Sequence, residues 1–406
     1  MNQTINPVSP DFASFPVEKI RTPAPDWGCE QRARLLWQAF DAGLAPVHAL
    51  DQAREMWAFL RGPEVDCARA FAEETAVSDR LRAGVIGIAL GEGGLWRRVD
   101  HDGATLHVDY ATFRDHPIFS RIGEVRLEDD SEMVRIPRFW LRSERRGDER
   151  IWWISPWPRE GFRLHPAFAK AEGGSSEFIW IGKYLASRSE EGEGLTMKAR
   201  RRPWTGLTIR KAREGCRTLG EGWRLWSVHD LAAVQLLALI DKGAPIGGVV
   251  GIFEREGVSP TGVLPAEWRG IRDLWGDVWQ FTDGLRINAW GGIEIWSDQK
   301  PGDEFWTDTG VPYGPGLGDG FPTAFHEERG EGFDLSTIFI PSRVIGGPEK
   351  AATKDHVWGR GEDRGGVALS GGSWISRQDY GLFSLSLACR PDHANSSVGF
   401  RPVFAV

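Results

Sequence analysis

Cysteine, histidine and the carboxylates are the side chains that could carry chemistry in this chain, and their spacing limits what each could do. Cys29, Cys67, Cys216 and Cys389 form no CxxC or CxxxC pair, so the sequence offers neither a zinc site nor a disulfide framework. Of the histidines, His48 alone falls in the helical stretch near the N-terminus, and no HxxxHxE-like set accompanies it. Asp392 and His393 would make half of a catalytic triad, but no G-x-S-x-G elbow precedes them. Asp303, Glu304, Asp308 and Asp319 lie in Gly-rich sequence of the oxygen-rich kind that calcium uses. A solvated acidic loop is the plainer reading. Asn395-Ser396-Ser397 has the form of a glycosylation acceptor, which matters only in a secreted chain. No pattern requires a cofactor, and no metal site is assigned.

The segment from Gly371 to Val406 is built for presentation rather than reaction. Gly371-Gly372-Ser373-Trp374 opens it and Val398-Gly399-Phe400-Arg401 closes it. Between them, Phe383, Leu385 and Leu387 alternate with Ser384, Ser386 and Ala388. A period of two predicts a strand with one face buried and one face outward. The flanking loops carry Arg377, Gln378, Asp379, Tyr380, Arg390, Asp392, His393 and Asn395. That set has no catalytic geometry and reads as a recognition surface, with Tyr380 and Arg390 the best anchors by residue type. Trp374 could stack on a sugar, but a core anchor at the start of the strand is the simpler role, as it is for Trp275 and Trp279.

The elements that must hold this surface follow from the rest of the chain. With 406 residues there is room for two domains or one large irregular one. The 50 Gly and 20 Trp, with most of the Trp at or beyond Trp140, suggest short elements, long ordered loops and large flat side chains between them. No fixed repeat marks a solenoid or propeller. A formal charge of -8 without a basic stripe argues against a nucleic-acid partner, and the short basic run Lys198–Arg202 reads as a solvated loop. No apolar run is long enough for membrane insertion. Met1 to Ile20 lacks the apolar core of a secretory signal, so the chain is expected to be made in the cytoplasm. It would reach a virion or cell surface by lysis, assembly or a dedicated route.

Residues 1–26, rich in Pro, read as an extended arm. From Glu30 to about Leu90 the pattern is helical: Leu35, Leu36, Ala39 and Phe40 share a face, as do Ala53, Met56, Trp57 and Leu60. Gly91–Gly94 ends that region, and Thr105 to Tyr110 alternates as a strand. Further on, a helix is expected over about Leu207–Thr218, closed by Gly220. A second starts at Ser227 as N-cap with Asp230 three residues later, and runs to about Lys242.

Gly371-Gly372-Ser373-Trp374, Tyr380-Gly381-Leu382-Phe383, Pro391 and Val398-Gly399-Phe400-Arg401 resemble the C-terminal end of the formylglycine-generating-enzyme type of C-type lectin fold. The branch they resemble is the variable proteins of diversity-generating retroelements and related phage and prophage proteins. Upstream, Ile136–Trp140, His165–Phe168, Phe178–Tyr184, Gly222–Leu225 and Leu274–Phe281 look like further family landmarks in the family's order.

The resemblance implies an α+β C-type lectin fold of the formylglycine-generating-enzyme type over 116–406, preceded by a small helical N-terminal module with a β-rich linker over 27–115. It implies a non-enzymatic ligand-binding protein whose segment 375–397 is diversified. The ligand-binding positions are then Ile375, Ser376, Arg377, Gln378, Asp379, Tyr380, Ser384, Ser386, Ala388, Cys389, Arg390, Asp392, His393, Asn395, Ser396 and Ser397. Its partner would be a protein or surface ligand on a host or target cell. In such families variation enters at Asn codons and leaves a third-base C. Ile375, Ser376, Asp379, Ser384, Ser386, Ala388, Cys389, His393, Asn395, Ser396 and Ser397 are all types that a C-ending codon encodes, and Gln378 is not. Oxidases of the fold carry a cysteine pair shortly after the Gly-Gly-Ser motif. Here those places hold Ser376 and Gly381, and a copper-thiolate site needs paired soft ligands. An enzyme of the same fold and a structural virion component without specific binding stand as alternatives.

Overall fold

The computed structural model describes residues 84–108, 113–114, 116–170, 172–189, 194–247, 257–298, 306–313, 319–359, 366–375 and 380–405. They belong to one compact unit, Arg82–Val406. The extended arm and the amphipathic stretches around Leu35–Phe40 and Ala53–Leu60 lie outside the described residues.

The strands, in chain order, are β1 (Ile86–Leu90), β2 (Trp96–Val99), β3 (Gly123–Arg126), β4 (Glu132–Pro137), β5 (Trp140–Arg146), β6 (Glu149–Ser155), β7 (Arg163–Leu164), β8 (Phe178–Gly182), β9 (Ser187–Arg188) and β10 (Leu195–Thr196). Helix α1 (Ile209–Arg217), β11 (Trp223–Leu225) and helix α2 (Val228–Lys242) follow. The C-terminal half adds β12 (Trp279–Ile287), β13 (Gly292–Trp296), β14 (Trp306–Pro312), β15 (Phe321–Phe325), β16 (Arg329–Gly330), β17 (Phe333–Asp334) and β18 (Pro341–Ile345). It ends with β19 (Val357–Trp358), β20 (Val367–Ser370), β21 (Leu385–Cys389), β22 (Val398–Gly399) and β23 (Pro402–Phe404). Sheet dominates and helix is sparse, an α+β build consistent with a C-type lectin-like fold.

Three larger sheets organise the unit. One runs β2-β1-β6-β5-β7, a second β11-β23-β8-β4-β3, and the third β14-β13-β12-β20-β21-β19 with β22 also on β12. The last strand of the chain therefore sits inside the second sheet, antiparallel to both β8 and β11.

Helix α2 is the inner post of the fold. Its N-cap Ser227 accepts from the Asp230 amide, and the Asp230 carboxylate accepts from the Ser227 amide in return. This reciprocal cap satisfies two donors that a bare helix end would leave open. Gly243 closes the other end in the left-handed conformation, φ 75°. Every residue from Val228 to Asp241 is buried. Val228 and Ala232 pack against Leu285, Ile293, Ile295, Leu385 and Leu387 of the third sheet. Helix α1 starts at N-cap Thr208 and buries Ile209, Ala212 and Cys216. Both helices expected from the sequence are present, with ends shifted by a residue or two.

Two expectations change. Ile86–Leu90, read as the end of a helical region, is a strand paired with β2 and β6. All of its residues are buried, and a short run apolar on both faces carries no period that separates strand from helix. Thr105–Val108 alternates like a strand but makes only a single bridge, Thr105 to Val99. The Arg98 guanidinium, rather than a neighbouring strand, reaches the Val108 carbonyl at 3.4 Å. Asp109 and Tyr110 lie outside the described residues.

Arg401 ties the sheets together from the interior. It is fully buried. Its Nε donates to Gln280 Oε1 at 3.0 Å, Nη1 to the Gly182 carbonyl at 2.6 Å, and Nη2 to the Arg272 and Asp273 carbonyls at 2.6 and 3.0 Å. Burial pulls this guanidinium down to about 10, opposed by the nearby Asp273 carboxylate.

Candidate functional site

The Gly-Gly-Ser-Trp turn sets the approach to β21. Gly371 and Gly372 adopt φ of 90° and 78°. A Cβ on Gly371 would come within 2.6 Å of the Leu274 carbonyl oxygen, and one on Gly372 within 2.2 Å of the Tyr380 ring. Both positions need glycine for backbone angle and for space. Trp374 then donates its amide to the Asp277 carbonyl at 3.0 Å, with its side chain half-buried. The next residue, Ile375, is 53% exposed. Ser376, Arg377, Gln378 and Asp379 lie outside the described residues.

Tyr380 and Ser384, read from the sequence as outward-facing, are buried. Tyr380 stacks on Trp358 with ring centroids 5.7 Å apart and meets Trp279 edge-on at 6.3 Å. The Ser384 hydroxyl accepts from the Gly381 amide at 3.2 Å, and its carbonyl accepts from the Gly371 amide at 3.0 Å. The period-two reading began two residues too early. Before Leu385 the chain is a turn, where hydrogen bonding to the Gly-Gly frame rather than alternation decides which way a side chain points.

From Leu385 the alternation holds. Leu385, Leu387 and Cys389 are buried, and Ser386 and Ala388 are half-buried on the other face. The strand pairs with β20 through a register shift between Val367 and Leu369, and with β19 in parallel. Burial, and secondarily Asp392, pushes the Cys389 thiol up to about 11, so it packs as a small apolar group. Beyond the strand, Arg390, Asp392, His393 and Ser396 are exposed, with Arg390 Nε 3.4 Å from Asp392 Oδ1. Asn395 Oδ1 accepts from both the amide and the hydroxyl of Ser397 at 2.9 Å. Ser397 is buried, and its carbonyl accepts from the Trp279 amide at 2.9 Å.

These elements enclose an open hollow of about 430 Å3. Ile375, Ser386, Ala388, Cys389, Arg390, His393, Asn395 and Ser397 line it, joined by Trp279, Leu369, Ser373 and Val398. Asp392 and Ser396 sit on the same loop but not in the lining. Trp279, Leu369 and Val398 come from β12, β20 and β22. No local pattern marks them for the hollow, because only strand pairing brings them there. Ser373 is the exception, since its place in the Gly-Gly-Ser-Trp turn could have suggested it.

Comparison with known proteins adds little to this geometry. No family model matches the chain, and no curated protein matches it. Among solved structures, similar ones include "Major Tropism Determinant M1 Variant", at 12% identity, a TM-score of 0.31, and coverage of 79% of this chain and 71% of that one. "Major Tropism Determinant U1 Variant" gives 12%, 0.30, 79% and 72%, and "Major Tropism Determinant P3c Variant" 13%, 0.28, 76% and 92%.

The hollow is chemically mixed. Its walls mix small polar groups, one imidazole and one guanidinium over an apolar floor. Among the described residues no three His, Cys, Asp or Glu side chains converge to hold a metal ion. Of the acidic residues noted in the sequence, Asp308 Oδ1 accepts from the Gly310 amide at 2.9 Å and Asp319 Oδ1 from the Gly359 amide at 3.2 Å. Asp303 and Glu304 lie outside the described residues. No helix among the described residues is long and apolar enough to cross a membrane.

Proposed function

We propose that this chain is a non-enzymatic recognition protein whose hollow beside β21 binds a protein or surface ligand on a host or target cell. The observation that carries the reading is the gathering of Ile375, Ser386, Ala388, Arg390, His393 and Asn395 around one open concavity, beside a strand whose other face is locked into the core. Such a site separates two duties. Leu385 and Leu387 pack inward with α2, so residues on the outer face are free to vary at little folding cost. A hollow of about 430 Å3 lies in the usual size range of pre-formed ligand sites. Arg390 and His393 supply charge and hydrogen bonding at its rim, while Tyr380 braces the frame from behind.

The finer reading is a diversified segment over 375–397 on a lectin domain of the formylglycine-generating-enzyme type. In that reading the domain follows a helical N-terminal module and is displayed at a virion or cell surface. The DNA flanking the gene tests it directly. A near-copy of the 371–401 coding segment, differing mainly at adenines, beside a reverse-transcriptase gene is the expected finding. The binding claim is tested with labelled full-length protein on intact candidate cells. Exchanging Ser386, Ala388, Arg390 and His393 together should abolish or redirect binding while the unfolding midpoint holds. Unchanged binding by that variant would remove the hollow from the recognition surface.

A further inference from the structure

We propose that a second site on this unit binds a sugar acid, a saccharide unit carrying a carboxylate. It is a groove of about 350 Å3 walled by the β5–β6 hairpin, the Gly91–Gly94 turn and the β15–β18 pair. It shares no lining residue with the hollow beside β21.

The groove is rich in cations. Arg145, Arg150, Arg343 and Lys350 all line the groove, in a chain whose net charge is -8. Glu327 is the lining acid that pairs with Arg145 and Arg150, which share its single carboxylate. Arg343 and Lys350 are exposed and form no ion pair among the described residues. Arg150 is only 7% exposed. Its Nη1 meets Glu327 at 3.1 Å and its Nη2 donates to Ser143 Oγ at 2.9 Å, while its buried Nε–H finds no acceptor. Two guanidinium groups thus share one carboxylate at this wall, while the nearby Asp334 and Arg329 charges oppose each other, and a buried cation short of counter-charge is costly. A carboxylate entering from solvent completes the balance, and the exposed Arg343 offers it the planar fork of an arginine.

The same groove also carries the opposite charge. Glu92 and Asp148 also line it, are exposed, and make no ion pair among the described residues. They oppose any second anion, carboxylate or phosphate, but they accept hydrogen bonds from the several hydroxyl groups that a sugar acid carries. Leu90 and Phe325, both buried, add apolar wall against which the C–H face of a pyranose can rest. Cations for a carboxylate, acids for hydroxyls and an apolar strip for a ring describe a sugar acid better than an inorganic anion or a neutral sugar. The volume suits one or two sugar units.

Titration calorimetry on the full chain tests this with glucuronate, glucose and inorganic phosphate. Glucuronate is expected to bind saturably, glucose not to bind, and phosphate to bind at least about tenfold more weakly than glucuronate, the loss of one charge-assisted hydrogen bond. The double variant Arg343→Gln, Lys350→Gln should weaken glucuronate about tenfold or more with an unchanged unfolding midpoint, both side chains being exposed. Asp148→Asn should weaken glucuronate without weakening phosphate. No glucuronate binding, equal binding of glucuronate and phosphate, or a double variant that binds like the parent would each overturn the proposal.

Discussion

The guanidinium of Arg401 donates to the carbonyls of Gly182, Lys183, Arg272 and Asp273 and to the amide oxygen of Gln280, so its loss strands those acceptors in the interior. Arg401→Met should destabilise the unit by about 3–5 kcal/mol in urea unfolding, as expected when one member of a buried charged network is removed. A second residue-scale effect depends on pH. The Asp298 carboxylate is buried, with Arg163 Nη1 at 3.7 Å and His229 Nε2 at 4.0 Å. Burial raises it to about 7, opposed by Arg163. The folded state therefore holds this proton more tightly than the unfolded chain does. Its contribution to stability is full below the unfolded value of 3.8, falls as pH rises through about 7, and stays lost above that. Asp298→Asn removes the penalty, so its melting temperature relative to the parent should be higher at pH 8 than at pH 4. His229 and His116 work in the other sense, since burial lowers both to about 4. Their contribution is lost as pH falls from about 6.5 towards 4. A difference between Asp298→Asn and parent that does not change with pH would show that Asp298 ionises normally in the fold.

At the scale of the element, β21 and α2 are two faces of one arrangement. Leu385 and Leu387 pack with Val228 and Ala232, which leaves Ser386 and Ala388 on the open side. Changing those two together with His393 to other small or polar residues should cost less than about 0.5 kcal/mol each. Ser384→Val should cost about 1–3 kcal/mol, because it removes the acceptor for the Gly381 amide in a buried turn. Phe400, fully buried against Trp204 at 5.7 Å, should lose about 3–5 kcal/mol on truncation to alanine. Trp374 is half-buried and should lose less. Thermal unfolding of the set checks the order, and a surface exchange as damaging as Phe400→Ala would place the segment in the core. For α2, Ser227→Ala should cost about 1–2 kcal/mol through the lost cap, read from the shift in denaturant midpoint.

For the whole unit, sequence and structure divide the information by range. Helix α2 was legible because its signals are local: Ser227 and Asp230 cap one end within a turn, and Gly243 follows Lys242. The Gly-Gly-Ser-Trp turn was legible for the same reason, since the needed backbone angles favour glycine whatever the surroundings. The outward face of β21 could be read from Leu385 onward, where pleat geometry alone sets the alternation. Other features needed partners distant in sequence. Ile86–Leu90 is a strand because β2 and β6 flank it, and its uniformly apolar composition suits a buried helix as well. Ser384 turns inward because Gly381 and Gly371 offer hydrogen bonds that no periodicity encodes. The floor of the hollow joins Trp279, Leu369 and Val398 to β21 across three strand pairings, and Arg401 reaches loops more than a hundred residues upstream. The sequence by itself determined the caps, the glycine turns and the alternation of one strand, since these depend on neighbours within a few residues. Tertiary structure alone decided which side chains meet around the hollow and which cations share the groove, because those contacts exist only once distant strands have paired.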